Sequence, residues 1–303
     1  MKMNVIGKDA EALLTWDGLL SALEAGHRLP RAEIKDMLLY RGRDTVLNRA
    51  AWIDGLAQLV KIATIFPGNA DQGQPTVNGA VTLFDDKMGM LKALVDFHLV
   101  TKWKTAGDSL LSAKRLARKD ARKILLVGAG TVARSMVQAY GSVFDGATFT
   151  VWSRTPATAL AMAAETGVTV ADDLEAAVRQ ADIICTATMA TAPLIKGAWL
   201  QPGQHLDLIG AYTPAMREVD DEAMARARVF VDSRATTIGH IGELIAPIAS
   251  GAISQTDVIA DFYDDPASYS RRSEQEITLA KNGGGAHLDL MTADYIARAW
   301  ASR

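Results

Sequence analysis

A chain of 303 residues, 49% of them hydrophobic, is long enough for two ordinary domains with packed cores. Its formal net charge of −3 excludes a generally basic surface of the kind that coats nucleic acid, and its single cysteine, Cys185, excludes an intramolecular disulfide or a multi-cysteine metal site. No apolar run has membrane-spanning length and no leader-like segment opens the chain, so the expectation is a cytoplasmic protein with neither membrane nor nucleic acid among its partners.

In chain order, residues 16–27 and 31–39 carry helical spacing. Residues 60–66, 79–84 and 90–96 read as strands, with turns at Pro67-Gly-Asn69 and Asp85-Asp-Lys-Met-Gly89 between them. Lys61 interrupts an otherwise apolar strand, where an unpaired charge would be costly, and so becomes a candidate functional cation. Helical patterning returns over 97–117 and runs into the basic stretch from Lys114 to Lys123, expected to be a solvated helix end. These features predict an α+β domain over residues 1–118.

From Lys123 the texture changes. Strand-like runs at 124–128, 148–152, 182–187, 205–209 and 229–232 alternate with alanine-rich helical segments such as 157–166 and 174–180. Such alternation predicts a doubly wound parallel sheet of the Rossmann type over residues 119–279, an α/β fold. Residues 273–300 read as a helix broken at Asn282-Gly-Gly-Gly285, so that 280–303 crosses back to the first domain. Substrate is then expected in the cleft between the two halves.

The most informative local motif is Gly128-Ala-Gly-Thr-Val-Ala133, placed between the apolar run Lys123-Ile-Leu-Leu-Val127 and a helical segment. Gly128 permits the tight turn, Gly130 admits the pyrophosphate to the backbone, and Ala133 supplies the third small position. Thr131 and Val132 then open a helix whose N-terminus favours an anion. The second strand ends in Ser153-Arg154-Thr155, where a cofactor with a free ribose 2′-hydroxyl would want an acid. Arg154 offers a planar fork for a 2′-phosphate and the flanking hydroxyls add donors, which predicts NADPH over NADH, with NADH still usable. Thr186, Ala187 and Thr188, at the end of the strand-like run 182–187, would face the ribose and nicotinamide side of that cofactor. His205, Asp207, His240 and His287 show no metal-ligand spacing, so no metal is expected, and Cys185 has no neighbouring base in sequence.

Several segments carry a resemblance over nearly the whole chain: Val60-Lys-Ile-Ala-Thr-Ile-Phe-Pro-Gly-Asn69, Gln74-Pro-Thr-Val77, Leu99-Val-Thr-Lys-Trp-Lys-Thr-Ala106, the Gly128 turn, Gly210-Ala-Tyr-Thr-Pro-Ala-Met-Arg-Glu218, Gly242-Glu-Leu244 and Thr278-Leu-Ala-Lys281. In this order they resemble the ornithine cyclodeaminase/mu-crystallin family. The resemblance implies an N-terminal substrate-binding and dimerisation domain beside a Rossmann domain, and a homodimer. It makes Lys61 the substrate-carboxylate lysine and Lys104 a substitute for the family's carboxylate-binding arginine. It also brings Thr76 to the substrate and Lys281, in Lys281-Asn-Gly-Gly284, near the nicotinamide. An arginine at 41 or 43 would complete the cationic site, and the sequence does not choose between them.

The departure that matters is Tyr212, which stands where cyclodeaminases carry an aspartate. Phenols ionise near pH ~10 in water and cannot replace a carboxylate base at neutrality, which argues against ornithine cyclisation. Tyr212 would instead wall the ring pocket or donate a hydrogen bond. The stretch Trp103-Lys-Thr-Ala-Gly-Asp-Ser109, with the Tyr212 segment, resembles a ketimine-reducing branch of the family. That implies reduction of Δ1-pyrroline-2-carboxylate to L-proline, and of the six-membered Δ1-piperideine-2-carboxylate to L-pipecolate, on a small imino or amino acid substrate. The alternatives are an ornithine cyclodeaminase or amino-acid dehydrogenase, and a crystallin-like, NADPH-bound ligand-binding protein.

Overall fold

The structure is a computed structural model that describes residues 4–303. They fall into two compact units, one running up to Lys104 and including Gly285–Arg303, the other Thr105–Gly284.

In chain order the first unit contributes β1 (Asn4–Ile6), α1 (Trp16–His27), β2 (Glu33–Arg41), β3 (Asp44–Ile53), β4 (Ala57–Ile65), β5 (Val77–Asp85) and β6 (Leu91–Asp96). They form a six-stranded sheet in the order β1-β6-β5-β4-β3-β2, antiparallel except for the β1–β6 pair. Period-two alternation puts Ala51, Ile53, Leu59, Val81, Leu83 and Val95 on a buried face. Two of the expected elements change. Residues 31–39 were expected to be helical, but most of them form the edge strand β2, and β3 has no counterpart in the sequence reading. Each strand is held by a nine-residue ladder to its neighbour (Glu33–Arg41 on β2, Thr45–Ile53 against β4), and such pairing outweighs local helical spacing.

The helix α2 (Phe97–Leu116) contains the boundary between the units. The expected domain boundaries, after residues 118 and 279, move to 104/105 and 284/285. The later part of α2 is tied into the second unit by side chains: Asn282 Nδ2 donates to Ser109 Oγ (2.8 Å), Ser112 meets the Tyr269 hydroxyl (3.1 Å), and Leu116 O accepts from Arg271 and Thr278. Of the basic run from Lys114 to Lys123, Lys119, Arg122 and Lys123 are exposed as expected, but Arg115 is half-buried over the rings of Phe262 and Tyr269, and Arg118 pairs with Asp120 and Asp182.

The second unit then builds β7 (Lys123–Val127), α3 (Thr131–Gly141), β8 (Thr148–Trp152), α4 (Pro156–Thr166), β9 (Thr169–Val170), α5 (Leu174–Gln180), β10 (Ile183–Thr186), β11 (His205–Leu208), α6 (Asp221–Arg226), β12 (Ala227–Val231), α7 (Arg234–Thr237), α8 (Gly242–Ser250) and β13 (Ile277–Lys281). All seven strands are parallel, in the order β12-β13-β11-β10-β7-β8-β9. This is the doubly wound Rossmann arrangement with β13 inserted between β11 and β12. The segment read as one broken helix is therefore a strand and then a helix, α9 (Ala286–Ala301), which belongs to the first unit. All five residues of β13 are buried, so no polar–apolar alternation marked it as a strand.

Candidate functional site

The strand order of the parallel sheet reverses between β7 and β10, and ligands of such sheets bind beyond the strand ends at that point. Gly128 follows β7 there with φ +104°, in the region open to glycine, and a Cβ on it would meet the Ala187 carbonyl at 2.6 Å. Gly130 is exposed with open space where its Cβ would be, and it N-caps α3 with no side-chain cap. The amides of Thr131 and Val132 thus begin an uncapped helix above a cradle that any larger residue at 130 would fill. These features fit a dinucleotide pyrophosphate. Beside them lies a cavity of about 200 Å³ lined by Gly128, Ser153, Arg154, Thr155, Thr188 and Leu194, among others. Arg154 is exposed at its rim, while Ser153 shares a hydrogen bond with Thr158 (2.9 Å) and receives the Thr155 amide (3.4 Å).

Two of the expected cofactor residues take other work. Thr186 is fully buried, and its hydroxyl donates to Glu218 Oε2 (2.8 Å), leaving no free face for a ligand. Lys281 is likewise fully buried at the end of β13, where Nζ donates to the Leu208 carbonyl (2.7 Å). Burial lowers its ammonium pKa against the opposing pull of Glu218, Glu243 and Asp232. Its ammonium is committed to a backbone carbonyl in the field of these buried carboxylates, and the expected direct contact with the nicotinamide is not what the side chain does here. Ala187 and Thr188 are partly exposed, and Tyr212 stands out from the loop after β11, 61% exposed.

The loop carrying Tyr212 is clamped from below. Glu218 gathers five donors from the ends of β10 and β11: the Thr188 amide and hydroxyl on Oε1 (2.9 and 2.7 Å), the Thr186 hydroxyl and Gly210 amide on Oε2 (2.8 Å each), and the Ala211 amide on Oε2 (3.2 Å). Glu243, at the start of α8, accepts from the amides of Glu218 (2.7 Å) and Val219 (3.0 Å). Burial, reinforced by the nearby Glu218 charge, pushes the Glu243 carboxyl up to about 7. Neither glutamate was anticipated; Glu243 offered a signal as the acid of an otherwise apolar stretch, whereas Glu218 stands among charged neighbours, Arg217 and Asp220, and offered none.

In the first unit Lys61 lies on the buried face of β4. Its ammonium donates to Asp289 Oδ1 and Thr101 Oγ1, both at 2.8 Å, and sits 4.7 Å from the centre of the Phe97 ring. Its cross-strand partner is Arg49, which forks onto Asp36 (2.6 and 3.3 Å) and lies 3.8 Å from Asp289 Oδ2. Lys104, one turn of α2 beyond Thr101, is also buried, and its charge opposes that of Lys61. Burial lowers the Lys61 pKa, with Lys104 and Arg49 adding to the effect while Asp289 resists it. Burial disfavours the Asp289 carboxylate, but Lys61, Lys104 and Arg49 outweigh that and hold its pKa below the ordinary value. His287 is fully buried near this cluster, and burial together with His27, Lys104 and Arg49 keeps it neutral.

Neither Arg41 nor Arg43 joins this group. Both flank the exposed β2–β3 turn, where Arg41 pairs with Asp44 (2.9 Å). Arg43 is six residues from Arg49, about 20 Å along a strand. Arg49 is the arginine that completes the cluster, missed because β3 was not recognised. Thr76 stands five residues before Val81, the cross-strand partner of Lys61, and the structure does not bring it to the cluster either. Among the described residues no group of three or more metal-ligating side chains is present, and no helix is long and apolar enough to cross a membrane. Cys185 is buried, and burial beside Asp207 pushes its thiol pKa well up, so it is not a nucleophile.

The parallel sheet, glycine turn and open helix N-terminus define a dinucleotide-binding protein of the Rossmann class, joined to an α+β unit with a buried cationic cluster. The chain belongs to the ornithine cyclodeaminase/mu-crystallin family, whose model matches residues 51–303. It is 52% identical to a Δ1-pyrroline-2-carboxylate reductase of Paracoccus denitrificans, over 97% of this chain and 95% of that protein. The solved structure of the Thermococcus litoralis Δ1-pyrroline-2-carboxylate reductase, in complex with NADH and L-proline, superposes with a TM-score of 0.89 at 25% identity, covering 99% of this chain and 98% of the other. An archaeal alanine dehydrogenase dimer with bound NAD matches equally well in fold, with a TM-score of 0.89 at 26% identity over 100% and 97% of the two chains.

Proposed function

We propose that this protein is an NAD(P)H-dependent imine reductase that converts Δ1-pyrroline-2-carboxylate to L-proline, with Δ1-piperideine-2-carboxylate as a second, larger ring substrate. The observation that carries the reading is the 52% identity to a Δ1-pyrroline-2-carboxylate reductase along nearly the full length of both chains. The site chemistry agrees with it. A bound nicotinamide supplies the hydride; the protein has to bind, orient and keep water from the acceptor.

Lys61, Lys104 and Arg49 hold the substrate carboxylate in this reading. Lys61 and Arg49 share Asp289, Lys104 adds its charge beside them, and a small anion fits the field of the three cations. Gly128, Gly130, Thr131 and Val132 hold the pyrophosphate, and Ser153, Arg154 and Thr155 select the 2′-phosphate of NADPH. Tyr212, exposed on its loop, supplies a wall or a hydroxyl donor and no carboxylate base, so the amine chemistry of a cyclodeaminase is not supported here. The enzyme works in the cytoplasm as a homodimer. Support for the second copy comes from the β2 edge, where Met37, Leu38, Leu39 and Tyr40 are exposed, and from the sheet face bearing Trp52, half exposed.

The test is direct. Purified protein should oxidise NADPH when given Δ1-pyrroline-2-carboxylate and produce L-proline in equal amount, and should release no ammonia from ornithine. Imine-dependent turnover no faster than the blank, or ornithine converted to proline, would overturn the proposal.

A further inference from the structure

We infer that Glu218 is a positioning residue for the reduction: its buried carboxylate ties the loop after β10 to the loop after β11, and so fixes the nicotinamide end of the cofactor site relative to Tyr212. The inference rests on the reductase reading above and adds to it a residue that touches neither substrate nor cofactor.

A carboxylate presents two oxygens with about four lone-pair directions, and Glu218 receives five donors on them. Three come from the β10 end (Thr186 Oγ1, Thr188 N and Thr188 Oγ1) and two from the β11 end (Gly210 N and Ala211 N). Glu218 itself is fully buried, so water cannot take over either set. The fit leaves no slack: a Cβ on Gly210 would collide with Thr188 and with the Glu218 carboxylate. The backbone of Glu218 is in turn held by Glu243, and a Cβ on Gly242, just before it, would strike the carbonyls of Pro214 and Met216. The Tyr212 loop is thereby gripped at both its ends.

No neutral side chain reproduces this. A glutamine has one oxygen, and its amide nitrogen would point N–H bonds at N–H donors, so part of the set is necessarily lost. The pyrophosphate turn and Arg154 do not bond to Glu218. Loss of the carboxylate should therefore loosen the nicotinamide end and spare the adenine end. Misplacement of a reacting centre by about 1 Å can cost on the order of a hundredfold in rate.

The experiment compares wild type with Glu218→Gln in the full chain. Hydrogen exchange should quicken in residues 186–190 and 210–213 together. The kcat for imine reduction should fall about tenfold or more while the Kd for NADP+ stays within about threefold. Unchanged exchange in both loops, or NADP+ binding that weakens in step with kcat, would overturn the inference. Should E218Q fail to fold, Thr188 gives a gentler probe. Thr188→Val keeps the shape and loses the hydroxyl bond, whereas Thr188→Ser keeps the bond and loses the methyl. A lower kcat for T188V than for T188S supports the tether, and the reverse order refutes it. Wild-type protein that leaves the imine unreduced would remove the reductase reading, and the exchange and NADP+ binding arms would still decide the role of Glu218.

Discussion

Each unit buries a lysine in a charged cluster, and the two clusters are balanced in opposite senses. In the first unit Lys61, Arg49 and Lys104 lie around Asp289, and Asp36 at the rim pairs with Arg49. In the second, Lys281 alone faces Glu218, Glu243 and Asp232. An excess of buried cations is relieved when an anion arrives, whereas an excess of buried acids is relieved by retaining a proton. The first arrangement suits the carboxylate site proposed above. The second is closed, saturated with backbone donors, and serves to hold loops.

The sharpest way to break the contrast is to remove the single acid at the heart of the cationic cluster. Asp289→Asn should destabilise the fold by about 3–5 kcal/mol, because it leaves the buried Lys61 without its counterion and removes one carboxylate from beside the half-buried Arg49, which keeps Asp36. Urea unfolding of the two proteins would measure it, and a difference under about 1 kcal/mol would mean the cluster is not charge-coupled. The acidic cluster is probed by pH. Glu243 has a folded pKa of about 7, above the ordinary carboxyl value of 4.5. Its folded form therefore binds the extra proton between those two values, and the stability it contributes is complete below about 4.5 and lost as pH rises through 7. The full shift corresponds to roughly 3 kcal/mol. Glu243→Gln should abolish this component, so that stability across the window falls less steeply with rising pH than in wild type. Parallel pH curves for the two proteins would refute it.

How much of this was legible in the sequence depends on how local each feature is. The Gly128 turn and Arg154 lie within one βαβ unit, where glycine, small residue and helix start follow one another in the chain, and they stand where they were expected. The ladder Arg49–Lys61 and the ion pair Lys61–Asp289, whose residues are 228 apart, exist only after the sheet is assembled and α9 is laid across it. Missing β3 therefore hid Arg49, and the choice fell on arginines at an exposed turn. The strand β13 was hidden for a different reason, being buried on both faces and too short to show a period.

That correction has a measurable consequence of middling size. Arg49→Met should raise KM for Δ1-pyrroline-2-carboxylate about 30- to 100-fold, near 2–3 kcal/mol for a charge-assisted contact, with the Kd for NADPH unaffected. Arg43→Met, at the β2–β3 turn, should leave KM within about twofold. Equal effects of the two substitutions, or a larger one at Arg43, would return the role to the turn.

The smallest expected effect concerns the exposed cation of the second unit. Arg154 has solvent around it, so the proposed contact with a 2′-phosphate would compete with water and with dissolved ions in a way that contacts of the buried Lys61 and Lys104 would not. Arg154→Ala should lower kcat/KM for NADPH about tenfold, close to 1.4 kcal/mol, and change the value for NADH little. Because the screening length falls from about 10 Å at 0.1 M salt to about 3 Å at 1 M, the preference for NADPH proposed above should itself shrink as salt is added. In the Arg154→Ala protein the ratio should be nearly flat against salt. A preference for NADPH that survives both the substitution and high salt would place cofactor selection elsewhere, on the Ser153 and Thr155 hydroxyls, which carry no net charge for salt to screen.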